Sequence, residues 1–294
     1  MIQHIILSMT NQESQNNFSE ADSAFLCRIV FVVILVDLFF SGFSNTLVHQ
    51  LQSPVLKFPN LDPVFLLMHF LHIPELVTSY KLIAWLWDFI LFASATAIIF
   101  FPRKKWLIVV FIIFYFIYYI IFNSFGTHHT HSLVPFLLTP VVFLFSKKSF
   151  SFAWQGLRYF FLFAYSAAFL WKFFRFSWLY TDQGILIMKK NLAPYLYFNP
   201  NTFLASVYFW FINHPSLLQV LYVTGFVMEG LFIIGFFTKK YDPVLFIISL
   251  ILPLGFWFMA DALFYEMILF SLTLLSPSVI AKLRAMVSTP FHRR

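Results

Sequence analysis

Long apolar runs, broken at short polar or prolyl punctuation, fill the chain from residue 24 to residue 281. About 20 apolar residues carry a helix across the hydrocarbon core of a bilayer, and polar helix ends shorten the strictly apolar part. Eight runs meet this requirement, at approximately 24–47, 80–101, 106–122, 131–146, 152–174, 216–237, 243–259 and 263–281. The fourth holds Pro135 and Pro140, which predict a kink that neighbouring helices can accommodate by satisfying the freed carbonyls. Two connections are long. Residues 48–79 carry Pro54, Pro59, Pro63 and Pro74 among Phe, Leu and Met; residues 176–215 carry Asp182, Lys189, Lys190, Pro194, Pro200, Asn201 and Pro215 among many aromatics. Long loops in a compact protein tend to be functional, and aromatic content suits headgroup depth. The first 23 residues are expected at the interface or without order. The pattern predicts an all-α integral membrane protein, one polytopic domain over residues 1–294 with about eight transmembrane helices in one bundle. No internal repeat or low-complexity linker is visible.

Composition removes the soluble alternatives. The chain is 61% apolar and 11% charged with a mean hydropathy of +0.82, where a soluble fold carries about 25% charged residues. Its 44 Phe outnumber the 19 basic and 12 acidic residues together, too few to cover a water-facing surface. A disordered chain, a secreted disulfide scaffold and a soluble enzyme are excluded. Cys27 is the one cysteine and cannot form an intramolecular disulfide, so cysteine usage says nothing of the redox compartment. The first ten residues lack a basic n-region, and no cleavable signal peptide is expected.

Charge then sets orientation. A net charge of +7 could mean nucleic-acid binding, but the cations stand as short groups between apolar spans rather than along one face. Arg103, Lys104 and Lys105; Lys147 and Lys148; Lys239 and Lys240; and Lys282, Arg284, Arg293 and Arg294 fall on alternate connections. Cationic loops stay on the cytoplasmic side, and alternate placement is what an even number of spans with both termini in the cytoplasm requires. The histidine-bearing loop 123–131, the long loop 176–215 and the short loop with Asp261 then face the other side.

Ionisable side chains within spans are costly and usually face the bundle interior. They are Arg28 and Asp37, Asp88, Lys172 and Arg175, Glu229 and Glu266. Arg28 and Asp37 lie about 13 Å apart along a helix and need separate partners; buried ion pairs or snorkelling toward the headgroups would account for any of the set without chemistry. Lys172 is the strongest chemical candidate, because an apolar helix disfavours the ammonium form and a neutral amine is a competent base. In Asn123-Ser124-Phe125-Gly126-Thr127-His128-His129-Thr130-His131-Ser132, three histidines could ligate a metal with help from His214, His69 or His72. No HExxH, CxxC or di-iron helix motif accompanies them, so no metal is assigned. The histidines read as acids, bases or hydrogen-bond donors at a pocket mouth, or as interfacial groups only.

Arg28 to Asp37 in the first span, His131-Ser132 opening the fourth, Tyr165-Ser166-Ala167-Ala168-Phe169-Leu170-Trp171-Lys172 followed by Trp178 and Gly184, and Glu229 in the sixth together resemble the membrane domain of vitamin K-dependent gamma-carboxylase. Its bacterial relatives are the horizontally transferred transmembrane domain proteins. The resemblance covers most of the chain and rests on spaced single residues. It implies a bacterial inner (plasma) membrane, a reduced vitamin K or other quinol, and quinol-dependent carboxylase-like or oxidoreductase-like chemistry. Lys172 would be the base, His131 the acid or hydrogen-bond donor, and Glu229 would tune the lysine, with His128, Trp171 and Trp178 against the cofactor. The chain departs from the family in three places. Trp171-Lys172 replaces a lysine pair, leaving open which lysine Lys172 matches. Pro253-Leu254-Gly255-Phe256-Trp257 replaces a polar stretch. The chain also ends at Arg294 soon after its last span, so peptide carboxylation is not expected. The alternative is a non-catalytic helical scaffold or accessory subunit of a larger membrane complex, its many Phe side chains making broad dispersion contacts with lipid or membrane-protein partners. A carrier is disfavoured by the lack of an inverted repeat, and no nucleic-acid partner is expected.

Overall fold

The computed structural model describes residues 18–51, 63–125 and 134–288, and every regular element among them is helical. In chain order these are α1 (Glu20–Phe43), a 3-10 turn at Val48–Gln50, α2 (Pro63–Phe70), α3 (Ile73–Ser79), α4 (Lys81–Phe100), α5 (Lys105–Phe125), α6 (Val134–Val142) and α7 (Lys147–Phe174). There follow a 3-10 turn at Ser177–Leu179, α8 (Gln183–Phe198), α9 (Phe203–Ile212), α10 (Pro215–Leu231), α11 (Ile234–Phe237), α12 (Asp242–Ala260), α13 (Met267–Ser271), a 3-10 turn at Leu272–Leu274 and α14 (Pro277–Ser288).

Five of these segments are long and apolar enough to cross a membrane: Glu20–Gln50, Lys81–Phe100, Lys105–Phe122, Pro215–Phe237 and Asp242–Ala260. A sixth is added if the broken pair Met267–Leu274 and Pro277–Val287 is one span. The eight runs expected from hydropathy therefore divide. The fourth becomes the nine-residue α6 with Pro140 inside it, too short as a helix to cross. The fifth becomes the 28-residue α7, long enough at about 42 Å but carrying Arg158 and Lys172. The long connections are helical too, in α2 and α3 and in α8 and α9.

α1 begins at Glu20, inside the stretch expected at the interface or without order, because Ser19 and Asp22 form a capping box. Asp22 N–H donates to Ser19 Oγ at 3.1 Å, and Ser19 N–H donates to the Asp22 carboxylate at 3.0 Å, which satisfies two end donors.

Contacts divide the chain into two compact units. Among the described residues the first holds those through 125, 134–154 and 276–288, and the second holds 155–275. In the first, α1 packs on α4 and α4 on α5. Leu26, Val30, Ile34 and Leu38 of α1 recur every fourth residue on the buried face, and Phe31 meets Phe111 edge-on at 5.1 Å. In the second, α8 packs on α10 and α12, burying Met188, Leu192, Tyr208 and Leu218 together.

α12 shows what kind of surface surrounds these cores. Leu245, Ile248 and Leu252 are buried, while Val244, Ile247, Ile251 and Leu254 on other faces of the same helix are exposed. A helix apolar all round is at home in a large core or in lipid, and the exposed apolar face of α12 suits a membrane protein.

Candidate functional site

One cluster of ionisable and aromatic side chains in the second unit lies where α7 ends. Lys172 lies in the last turn of α7, where the negative end of the helix dipole favours a cation. Its Nζ donates to Glu229 Oε1 at 2.6 Å and Oε2 at 2.7 Å, a forked, charge-assisted contact. The Lys172 side chain is 27% accessible and that of Glu229 only 2%. The carboxylate on α10 is thus the inner anchor, and the ammonium reaches the edge. Nζ also stands 5.7 Å from the centroid of the Phe256 ring of α12, within cation–π range.

Phe176, with φ of 54°, turns the chain after α7. Left-handed backbone costs a residue with a Cβ about 1–2 kcal/mol, and such strain persists where surroundings hold it. Here the reversal folds the next 3-10 turn back over the helix end. Ser177 Oγ donates to the Lys172 carbonyl at 3.1 Å and lies 2.7 Å from Tyr222 Oη. Trp178 lies nearly parallel to Phe173 and Phe226, 8° from each, with centroids 6.2 and 6.1 Å away. Phe226 in turn stacks on Phe169 at 4.6 Å. Phe169 rests against Gly230, where a Cβ would come within 2.8 Å of the ring.

The buried Trp178 Nε1 has no hydrogen-bond partner among the described residues. A buried donor without an acceptor costs about 1–3 kcal/mol, so this N–H is a ready donor to an oxygen brought beside the rings. A groove of about 420 Å³, lined by Gln183, Ile187, Lys190, Asn191 and Phe264, adjoins through Phe256. Flat rings, an indole N–H and an accessible ammonium thus lie in one region of the second unit. The pair is one forked contact between an edge-reaching side chain and a buried carboxylate.

The structure thus brings Lys172, Glu229 and Trp178 into one cluster. Trp171 is not part of it: its ring is 61% exposed and carries the Arg175 guanidinium at 4.0 Å, one residue round the helix from Lys172. His128, His129 and His131 lie outside the described residues. His214 is at the start of α10, with Nδ1 2.7 Å from the Trp210 carbonyl, and no group of three metal-ligating side chains occurs among the described residues.

The other intramembrane charges have structural partners. In the first unit, the Asp88 carboxylate takes the backbone N–H of Val48 and of His49, each at 3.0 Å, and His49 Nδ1 at 2.6 Å, capping the 3-10 turn. Arg28 is exposed, with Nε donating to the Ile99 carbonyl at 3.2 Å. Asp37 and Glu266 are buried.

Sequence reasoning missed a second buried ion pair in the second unit. Arg158 Nε donates to Asp242 Oδ2 at 2.9 Å, and its Nη2 donates to Asp242 Oδ1 at 2.6 Å and to the Gly235 carbonyl at 2.9 Å. Gly235 has no room for a side chain there, a Cβ falling 2.6 Å from Leu162. Burial and the nearby Arg158 cation push the Lys239 ammonium below the ordinary lysine range, against the pull of Asp242. The available signal was a lone arginine within an apolar run.

Comparison with protein-family models, with curated proteins and with solved structures finds no match to this chain.

Proposed function

We propose that the chain is a bacterial inner-membrane protein with eight crossings and both termini in the cytoplasm, and that its second unit binds a quinone-type lipid beside Lys172 and Glu229. The observation that carries this reading is the partnerless indole N–H of Trp178 among near-parallel rings, next to an accessible ammonium. Lys172 and Trp178 would hold ring oxygens, Phe173 and Phe226 would flank the ring, and the adjoining groove at Phe256 would take the apolar tail. When bound, a quinol supplies two electrons and an acidic hydroxyl. Glu229 fixes the ammonium and receives its proton, which frees Lys172 Nζ as the base of carboxylase-like or oxidoreductase-like chemistry. The resemblance to the gamma-carboxylase membrane domain supports the same assignment, and His131 and His128 belong to the proposal through that resemblance.

Quinones quench tryptophan fluorescence on contact, which gives a readout independent of turnover. Titrating the purified full chain with menaquinone should quench its emission saturably. Lys172→Met should weaken the midpoint by more than about tenfold, one charge-assisted hydrogen bond being worth about 1.5–3 kcal/mol, and Trp178→Phe should remove much of the quenching. Quenching that does not saturate, or is unchanged in both variants, overturns the proposal. The scaffold reading would then lead, since Tyr197, Phe198 and Phe203 form an exposed aromatic edge between α8 and α9.

A further inference from the structure

In the first unit a groove of about 670 Å³ runs between α1, the α4–α5 turn and α14. Ala21, Ala24 and Arg28 stand on one face of α1, being three, four and seven residues apart. The two alanines keep that wall low and Arg28 closes it. Arg103 and Lys104 come from the turn, and Arg284 from α14. Four cations therefore border one depression.

Among the described residues Arg284 Nη1 lies 3.4 Å from both Asp22 Oδ1 and Ser19 Oγ. The Arg28 contact to the Ile99 carbonyl uses Nε and orients the guanidinium, leaving its Nη donors for an anion. Cations gathered this closely repel one another unless a counter-charge lies among them. The groove is also half apolar. Phe100 and Phe101 in its wall are 69% and 60% exposed, and Val287 faces it from α14. A soluble anion gains nothing from those rings, whereas an amphiphile with an anionic head and acyl chains matches both halves. Basic pockets between membrane helices near the surface recognise lipid phosphates in this way.

We propose that this groove is a site for an anionic phospholipid. The phosphate sits among Arg28, Arg103, Lys104 and Arg284, and the first acyl methylenes run along Phe100, Phe101 and Val287.

The test uses the full chain in nanodiscs of equal parts phosphatidylglycerol and phosphatidylcholine, released into the gas phase for native mass spectrometry. Phosphatidylglycerol should be retained in preference. Arg103→Gln with Lys104→Gln, in an exposed turn, should lower the retained fraction about thirtyfold, at roughly fivefold per cation. Arg28→Gln alone should lower it about fivefold, independently of the turn. Lys148→Gln with Lys240→Gln removes two exposed cations elsewhere and should change nothing. Equal retention of the two lipids, or equal loss in both double variants, overturns the proposal. So does displacement of phosphatidylglycerol by millimolar inorganic phosphate, which would mark a site for a free anion.

Discussion

Two carboxylates of the second unit each hold a basic side chain of α7, but a substitution strands different groups in the two pairs. Glu229→Gln leaves Lys172 with 27% of its side chain accessible, so its head can still reach polar groups at the edge along a flexible stem. Asp242→Asn leaves the Arg158 guanidinium, 1% accessible, and a guanidinium keeps its charge. Breaking a buried pair costs about 3–5 kcal/mol when the remaining charge has no other relief, and about 1–3 kcal/mol when it loses only a hydrogen-bond partner. Thermal unfolding in detergent should therefore show Asp242→Asn lowering the transition temperature about twice as much as Glu229→Gln; an equal or reversed order would refute this account. Lys172 and Glu229 could be picked out from sequence because each is a lone charge in an apolar run. Only the family resemblance brought the two together, since they lie on different helices and helical periodicity says nothing about which helix is the neighbour. Asp242 was hidden for another reason: it sits beside Lys239 and Lys240, in a segment that reads as a solvated loop.

At the scale of the element, the hydropathy pattern located most helices but misjudged what lies between them. Residues 176–215 read as a proline-punctuated loop, yet Pro194 lies inside α8. Met188 and Leu192, one turn apart, are buried against Tyr208 and Leu218, and this tertiary burial stabilises a helix that local propensity would not. The approach of α8 to α10 depends on Gly184, where a Cβ would fall 2.5 Å from the Leu218 carbonyl oxygen and 3.0 Å from the Gln219 nitrogen. Backbone atoms cannot swing aside as a side chain can. Gly184→Ala must push α8 off α10 and should cost about 1–3 kcal/mol, read as a lower unfolding temperature and as earlier proteolysis in this segment. Gly225→Ala in α10, where nothing lies within 4 Å, should be neutral or stabilise by up to about 1 kcal/mol through helix propensity. Equal effects at the two glycines would mean that close packing is not what requires Gly184.

For the whole molecule, the number of crossings turns on α6 and α7. α7 falls outside the most apolar class, yet each charge it carries within the second unit is met by a carboxylate, Arg158 by Asp242 and Lys172 by Glu229. The proposed eight crossings require this helix of about 42 Å to traverse a core of about 30 Å, and such pairing would offset the cost of its charges there. α6 ends after nine residues, but its chain continues in tight turns, with Phe143 N–H donating to the Pro140 carbonyl and Leu144 N–H to that of Val141. Lys105 Nζ takes up the Leu144 and Phe145 carbonyls at 2.8 and 3.2 Å. Irregular backbone is tolerated at membrane depth when its polar groups are satisfied within protein, and the proposed eight crossings require α6 with its extension to supply the fourth. The native thiol, Cys27, is 0% exposed, and cysteines introduced singly at Lys104, Lys148, Asp182 and Lys240 would report against little background. With an impermeant maleimide on intact spheroplasts, Asp182→Cys should label directly, and the other three only after permeabilisation. Labelling of Lys148→Cys together with Asp182→Cys from outside would mean that neither α6 nor α7 crosses. Labelling of Lys148→Cys but not Asp182→Cys would mean that α7 crosses alone, which would also place Lys240→Cys outside and reverse the orientation proposed for the second unit.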